Sequence, residues 1–134
     1  MPRRPHGLRG AEIALPQPSV GVTENLLLAG MLASGRTIIF NAAREPEIVD
    51  LIQCLTAMGA RVTGRGTDVL TIESKSVTGA VHTVMSDRIE LGTVACAAAV
   101  TDGEVLLTRA RKDLLGAAAS TLTEAGVVLE QVDN

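Results

Sequence analysis

Apolar and polar residues alternate from Ala11 to Leu15, as on a strand with one face buried, and Pro16 and Pro18 close the run. From Thr23 to Ala33 the chain is apolar on nearly every side, which suits a short helix only when both of its flanks are covered. Gly35 breaks that helix, and Thr37 to Phe40 reads as a buried strand. The next helix is well punctuated. Pro46 fits the first helical position, Glu47 favours the positive end of the helix dipole, and Gly59 follows the last turn. Its Ile48, Leu51, Ile52, Leu55 and Met58 recur at steps of three and four, so they share a face. Ala60 to Thr63 and Val69 to Ile72 predict two strands, joined through Gly64-Arg65-Gly66-Thr67-Asp68 as a hairpin turn.

The order then starts again. A strand is expected at Val81 to Met85, a helix of small residues at Asp87 to Val100, a turn at Asp102-Gly103 and a strand at Glu104 to Thr108. Lys112 to Ala125 predicts a helix with Leu114, Leu115, Ala118 and Leu122 on one face, Gly126 ends it, and Val127 to Glu130 reads as a last strand. Gly35 and Gly103 stand 68 positions apart, and Gly59 and Gly126 stand 67 apart. With the elements between them in register, this points to an internal duplication. Ser19 then stands opposite Asp87, and Glu45 opposite Asp113. The expected fold is α/β, built from two βαβαββ repeat units: a flexible tail at 1–10, a first unit at 11–80 and a second, incomplete unit at 81–134.

Composition narrows the function classes. A chain of 134 residues buries one ordinary core or two small lobes, and its apolar mass is almost wholly aliphatic, with Phe40 the single aromatic. The net charge of −3, the scattered basic residues and the missing stacking platform argue against nucleic acid as a partner. No apolar stretch follows the basic start as in a secretory signal, and the runs Leu26 to Leu32 and Val94 to Val100 are too short for a bilayer. The expectation is a cytoplasmic protein with no membrane partner. Cys54 and Cys96 sit in apolar helical patterns and read as small buried hydrophobes, so neither a disulfide nor a metal or other cofactor is expected.

Polar residues at helix starts are the candidate chemistry. Ser19-Val20-Gly21 precedes an apolar helix, where the first amides point outward unpaired. The segment fits either a phosphate seat or a Ser cap with a glycine turn. Glu45-Pro46-Glu47 puts two carboxylates on a first turn, to steady a substrate or simply to favour the dipole. Asp87-Arg88 holds the corresponding place in the second copy, to orient a charged ligand or to cap a helix. Gly64-Arg65-Gly66 lacks the following helix and third glycine of a dinucleotide motif, and neither His6 nor His82 has a nucleophile or acid at a telling distance.

The runs Ser19-Val20-Gly21-Val22-Thr23-Glu24-Asn25, Asn41-Ala42-Ala43-Arg44-Glu45-Pro46-Glu47-Ile48-Val49-Asp50 and Ser86-Asp87-Arg88-Ile89-Glu90-Leu91-Gly92-Thr93 together resemble the UDP-N-acetylglucosamine enolpyruvyl transferases. The likeness covers most of this chain and about a third of the usual length of that family. It implies an inside-out α/β barrel made of βαβαββ units. The implied reaction moves the enolpyruvyl group of phosphoenolpyruvate to the 3-hydroxyl of UDP-N-acetylglucosamine, releasing phosphate, on the way to peptidoglycan. Carried over by position, Gln17, Pro18, Ser19, Val20 and Gly21 correspond to the stretch that holds the uridine nucleotide, although some relatives have lysine in place of Gln17. Glu45, Glu47, Asp87 and Arg88 fall on cleft-lining positions, the last two at the crossing between lobes.

The same likeness implies that the cysteine- or aspartate-bearing phosphoenolpyruvate loop, a Lys-Asn pair, a general-base aspartate and several arginines of the family lie outside this stretch. The leading expectation is therefore part of an enolpyruvyl transferase, carrying a share of the sugar-nucleotide site and inactive alone. The alternative is a non-catalytic nucleotide-binding or assembly module of that fold, with self-association through exposed apolar faces. The sister enzyme of the shikimate route shares the fold, but the Asn-Ala-Ala-Arg-Glu-Pro-Glu run argues against it.

Overall fold

A computed structural model describes residues 7–73 and 76–132, and the chain divides into two compact units, Met1–Val84 and Met85–Asn134. The first unit holds β1 (Glu12–Ala14), α1 (Val20–Met31), β2 (Arg36–Phe40), α2 (Pro46–Ala57), β3 (Arg61–Thr63) and β4 (Val69–Glu73). That is the expected βαβαββ order. The sheet runs β1-β2-β4-β3, with β1 parallel to β2 and β4 antiparallel to both β2 and β3.

Alternation along two strands makes the core. Thr37 and Ile39 of β2 lie beside Ile72 and Leu70 of β4, and all four are buried. Leu27 and Met31 of α1 and Ile48, Ile52 and Leu55 of α2 complete the same apolar cluster. Gly30 lets α1 come close to the sheet, since a Cβ there would lie 3.3 Å from Thr37 Cβ. The helix starts three residues before Thr23, because Ser19 caps it and its carbonyl accepts from the Thr23 amide at 2.9 Å. On its outer side Val22, Leu28 and Leu32 are exposed, so only one of the two expected flanks is covered.

Two segments are more fixed than their sequence suggested. Residues 1–6 of the expected tail lie outside the described residues, whereas Gly10 donates to Ser34 O at 2.8 Å and Ser34 donates to Leu8 O at 2.9 Å. The segment expected as a strand at Val81 to Met85 forms none; just before it Thr78 N donates to Met58 O at 2.8 Å, and within it His82 Nε2 meets Asp50 Oδ2 of α2 at 3.1 Å.

The second unit contains α3 (Arg88–Val100), a 3-10 turn (Lys112–Leu115) and α4 (Ala117–Glu124). The helix expected over Lys112 to Ala125 is broken by Gly116, which takes a φ of +54°. Among the described residues, neither Glu104 to Thr108 nor Val127 to Glu130 forms a strand. Their alternating side chains suit one, but a strand holds its shape only against a ladder partner, and these two segments do not pair. Cys96 is exposed on α3 and Cys54 half-buried on α2, so the buried reading of the cysteines fails for Cys96. No helix among the described residues is long and apolar enough to cross a membrane.

The two helix ends share one hydrogen-bond pattern. After α2, Met58 N reaches Cys54 O, Gly59 N reaches Thr56 O and Ala60 N reaches Leu55 O; after α4, Ala125 N reaches Thr121 O, Gly126 N reaches Thr123 O and Val127 N reaches Leu122 O. Every atom pair is shifted by 67 positions. Both ends are glycine-terminated Schellman caps, with φ of +102° at Gly59 and +94° at Gly126. Asn41 and Arg109, 68 apart, take left-handed φ values of +58° and +59°.

The hairpin supplies a stability test. Gly64 and Gly66 both have positive φ, but a Cβ on Gly64 would stand 1.9 Å from Val69 O while one on Gly66 meets nothing within 4 Å. Gly66→Ala is expected to cost about 1 kcal/mol of conformational strain and Gly64→Ala clearly more, measured by urea denaturation. Equal costs would show that the turn yields without strain from the collision.

Candidate functional site

Thr23 and Ala43 bring two helix starts together. Thr23 is fully buried in the first turn of α1, and its Oγ1 accepts from Ala43 N at 3.0 Å. Ala43 lies in the loop that leads into α2. A buried amide without a partner costs about 1–3 kcal/mol, so this single hydroxyl fixes where the loop may lie. Asn41 secures the preceding step: at its left-handed φ its Nδ2 donates to Leu15 O at 3.1 Å, tying the exit of β2 to the exit of β1. The hairpin closes the third side, where Ala42 N donates to Asp68 O at 2.9 Å.

Between these loops lies an open hollow of about 480 Å³, lined by Pro18, Asn41, Ala42, Arg44, Glu45 and Asp68. Of the residues expected in a site, Pro18 and Glu45 line it. Glu45 is half-buried and its Oε2 accepts from Arg44 N at 2.8 Å, so the carboxylate folds back over the loop and does not cap α2. Ser19 caps α1, with its Oγ 3.5 Å from Val22 N, a long and weak contact. Val20 is half-buried against the core and Gly21 is exposed, with open space where a side chain would stand. Gln17 is exposed on the same loop, and Glu47 sits half-buried in the first turn of α2, outside the lining of the hollow.

Asp87 and Arg88 belong to the second unit. Asp87 caps α3, its Oδ1 accepting from Ile89 N at 2.7 Å and Glu90 N at 3.2 Å, and Arg88 is the half-buried first residue of that helix. Ser19 and Asp87 thus do the same work in the two copies, which is the capping side of the alternative posed for each. Asp113, expected opposite Glu45, is instead held by Arg111 through Nε–Oδ1 at 3.0 Å and Nη2–Oδ2 at 2.5 Å. Those hydrogen bonds keep its carboxyl below the ordinary range on an exposed surface.

Sequence reasoning did not single out Thr23, Asn41, Arg44 or Asp68 as site-forming. Arg44 was readable in its motif, while the place of Asp68 depends on the hairpin folding back. Among the described residues no three His, Cys, Asp or Glu side chains gather as metal ligands. The hollow offers one guanidinium, two carboxylates, an amide side chain and a proline ring. Such a set accepts hydrogen bonds from hydroxyl or imide donors on a polar ligand, with a single cation for a negative group.

The sequence model of EPSP synthase (3-phosphoshikimate 1-carboxyvinyltransferase) matches residues 3–134. The chain is 59% identical over 128 residues to UDP-N-acetylglucosamine 1-carboxyvinyltransferase of Granulibacter bethesdensis, covering 95% of this chain and 30% of that protein. With the enzyme of the same name from Acidiphilium cryptum it shares 58% over 131 residues, 97% of this chain and 31% of the relative. With that from Caulobacter vibrioides it shares 52% over 128 residues, 95% of this chain and 30% of the relative. The chain thus spans about 30% of the length of these curated relatives.

Thr23 yields a direct prediction. Thr23→Val keeps the shape but leaves the Ala43 amide without its acceptor, and is expected to cost about 1–3 kcal/mol, while Thr23→Ser retains the bond and costs less. Denaturant midpoints compare the two, and hydrogen exchange at Ala43 should accelerate in the valine variant alone. Unchanged exchange would mean that the loop is held by something else.

Proposed function

Because the chain belongs to the EPSP synthase family of carboxyvinyltransferases, we propose that it carries the sugar-nucleotide share of a UDP-N-acetylglucosamine 1-carboxyvinyltransferase. The reading rests on the hollow in which Pro18 and Glu45, from separate loops, meet Arg44 and Asp68 beside the start of α1. Glu45 and Asp68 accept from hydroxyl and imide donors of the uridine or sugar, and Pro18 offers an apolar ring for the base to rest on. The diphosphate is repelled by those carboxylates and goes to the outward amides at Val20 and Gly21. Gly21 leaves that approach open. Glu47 in the first turn of α2, and Asp87 and Arg88 at the start of α3 in the second unit, are assigned to the cleft by the family likeness, and Gln17 lies on the loop that leads into α1.

In the whole enzyme the reaction moves the enolpyruvyl group from phosphoenolpyruvate to the sugar hydroxyl with loss of phosphate, in the cytoplasm, toward peptidoglycan. Stabilising the charge of such a transfer takes several cations converging in a closed site. The hollow has one arginine against two carboxylates, so binding and chemistry are divided, and this stretch supplies binding only.

Titrating isotope-labelled protein with UDP-N-acetylglucosamine should shift the amides of Val20 to Thr23 and of Asn41 to Glu45, and Arg44→Ala should weaken binding about tenfold. Absence of any shift at several millimolar nucleotide would refute the assignment of the hollow. Added phosphoenolpyruvate should release no phosphate above background. Sustained turnover by this chain would overturn the division between binding and chemistry.

A further inference from the structure

One rung of the ladder between β1 and β2 is made by a side chain. The strands are parallel, with Glu12 beside Ile38 and Ala14 beside Phe40. Ile38 N donates to Ala11 O at 2.9 Å, and Leu15 N donates to Phe40 O at 3.0 Å. Bonds in a parallel pair are evenly spaced, so the step that joins Ile38 N to Ala11 O, carried on along both strands, assigns Ala42 N to Leu15 O. The chain departs from that pattern at Asn41, whose φ is +58°. Ala42 N turns away to Asp68 O at 2.9 Å, and Asn41 Nδ2 donates to Leu15 O at 3.1 Å in its place.

This exchange needs two properties in one residue. Glycine enters the left-handed region freely but has no side-chain donor. Aspartate tolerates the same backbone, yet its ionised carboxylate offers only acceptors to a carbonyl. Asparagine supplies both the turn and the amide. The loops around the hollow all start from the exchanged atoms: Leu15 leads to Pro18, Ala42 leads to Arg44 and Glu45, and Asp68 belongs to the hairpin. Ala42 is buried, so water does not readily replace a bond lost at its amide.

We propose that Asn41 is a positioning residue for the sugar nucleotide, an inference that rests on reading the hollow as the nucleotide seat. By taking over one rung at Leu15 O, its amide releases Ala42 N to the hairpin and fixes the three walls of the hollow against one another before any ligand arrives. Walls set in advance spare the ligand the cost of ordering them. Without the amide, Ala42 N returns to Leu15 O, Asp68 is released, and Arg44 and Glu45 shift with the loop that carries them.

The test compares the full chain with Asn41→Gly, which keeps the turn, and Asn41→Asp, which keeps the size; both lack the donor. In isotope-labelled protein the magnetic coupling across the hydrogen bond from Ala42 N to the Asp68 carbonyl carbon should be seen in the parent chain and lost in both variants, moving to the Leu15 carbonyl in the glycine variant. The dissociation constant for UDP-N-acetylglucosamine should rise at least tenfold in both. Ile52→Val, which loosens the core under α2, should leave that constant unchanged, so that lost stability alone does not mimic the effect. Unaltered affinity in either Asn41 variant, or an Ala42–Asp68 coupling that survives in both, overturns the proposal and leaves the reading of the hollow standing. A parent chain that binds no nucleotide overturns that reading, and the positioning role falls with it.

Discussion

One buried hydroxyl organises the first unit. Thr23 stands where an apolar side chain would pack as well, yet its Oγ1 is the partner of the Ala43 amide and is sealed from water. The bond joins the first turn of α1 to the loop leading into α2, so two helix starts open side by side with the hairpin residue Asp68 beside them. An apolar core alone tolerates small slips of a loop, because burial has no direction. A hydrogen bond in a dry interior tolerates far less, since a displaced amide loses its only acceptor. Asn41 adds a second fixed point through Leu15 O, and its left-handed backbone turns the chain sharply off the end of β2.

Much of the fold was readable because it is local. Pro46, Gly59, Gly64 and Gly126 mark ends and turns through their own backbone preferences, and Gly59 and Gly126 close α2 and α4 with the same three hydrogen bonds. What failed depends on distant partners. Glu104 to Thr108 and Val127 to Glu130 have strand sequences, but strand formation is a property of a pair or a sheet and not of a segment. Gly116 split the expected helix at Lys112 to Ala125, and a lone glycine within a helical pattern does not reveal whether it will be tolerated or used as a break. Of the residues lining the hollow, Pro18 and Glu45 were named from their loops as candidates, whereas Asp68 arrives only through the β3–β4 fold-back.

α1 shows the other side of the same balance. It is apolar nearly all round, and it buries Thr23, Leu27, Gly30 and Met31 on one face while Val22, Leu28 and Leu32 are exposed. A helix of this composition is suited to the middle of a larger packing and not to a surface. Its exposed side is therefore a cost in water, and the first unit is held by the one covered face and by the polar ties at Thr23, Asn41 and His82.

Enclosure also decides what the hollow can achieve. The positive end of an exposed helix adds only about 0.3–1 kcal/mol toward an anion, and salt screens it. Arg44 is exposed, and Glu45 and Asp68 oppose any phosphate that comes close. On the proposed reading, discrimination comes from hydroxyl and imide donors that satisfy those carboxylates, because each correct donor converts a repulsive group into a partner. The same atoms become far more effective when water is excluded, since Coulomb interactions strengthen as the local dielectric falls. The strength of this site is thus set less by the identity of its residues than by whatever surface closes over them.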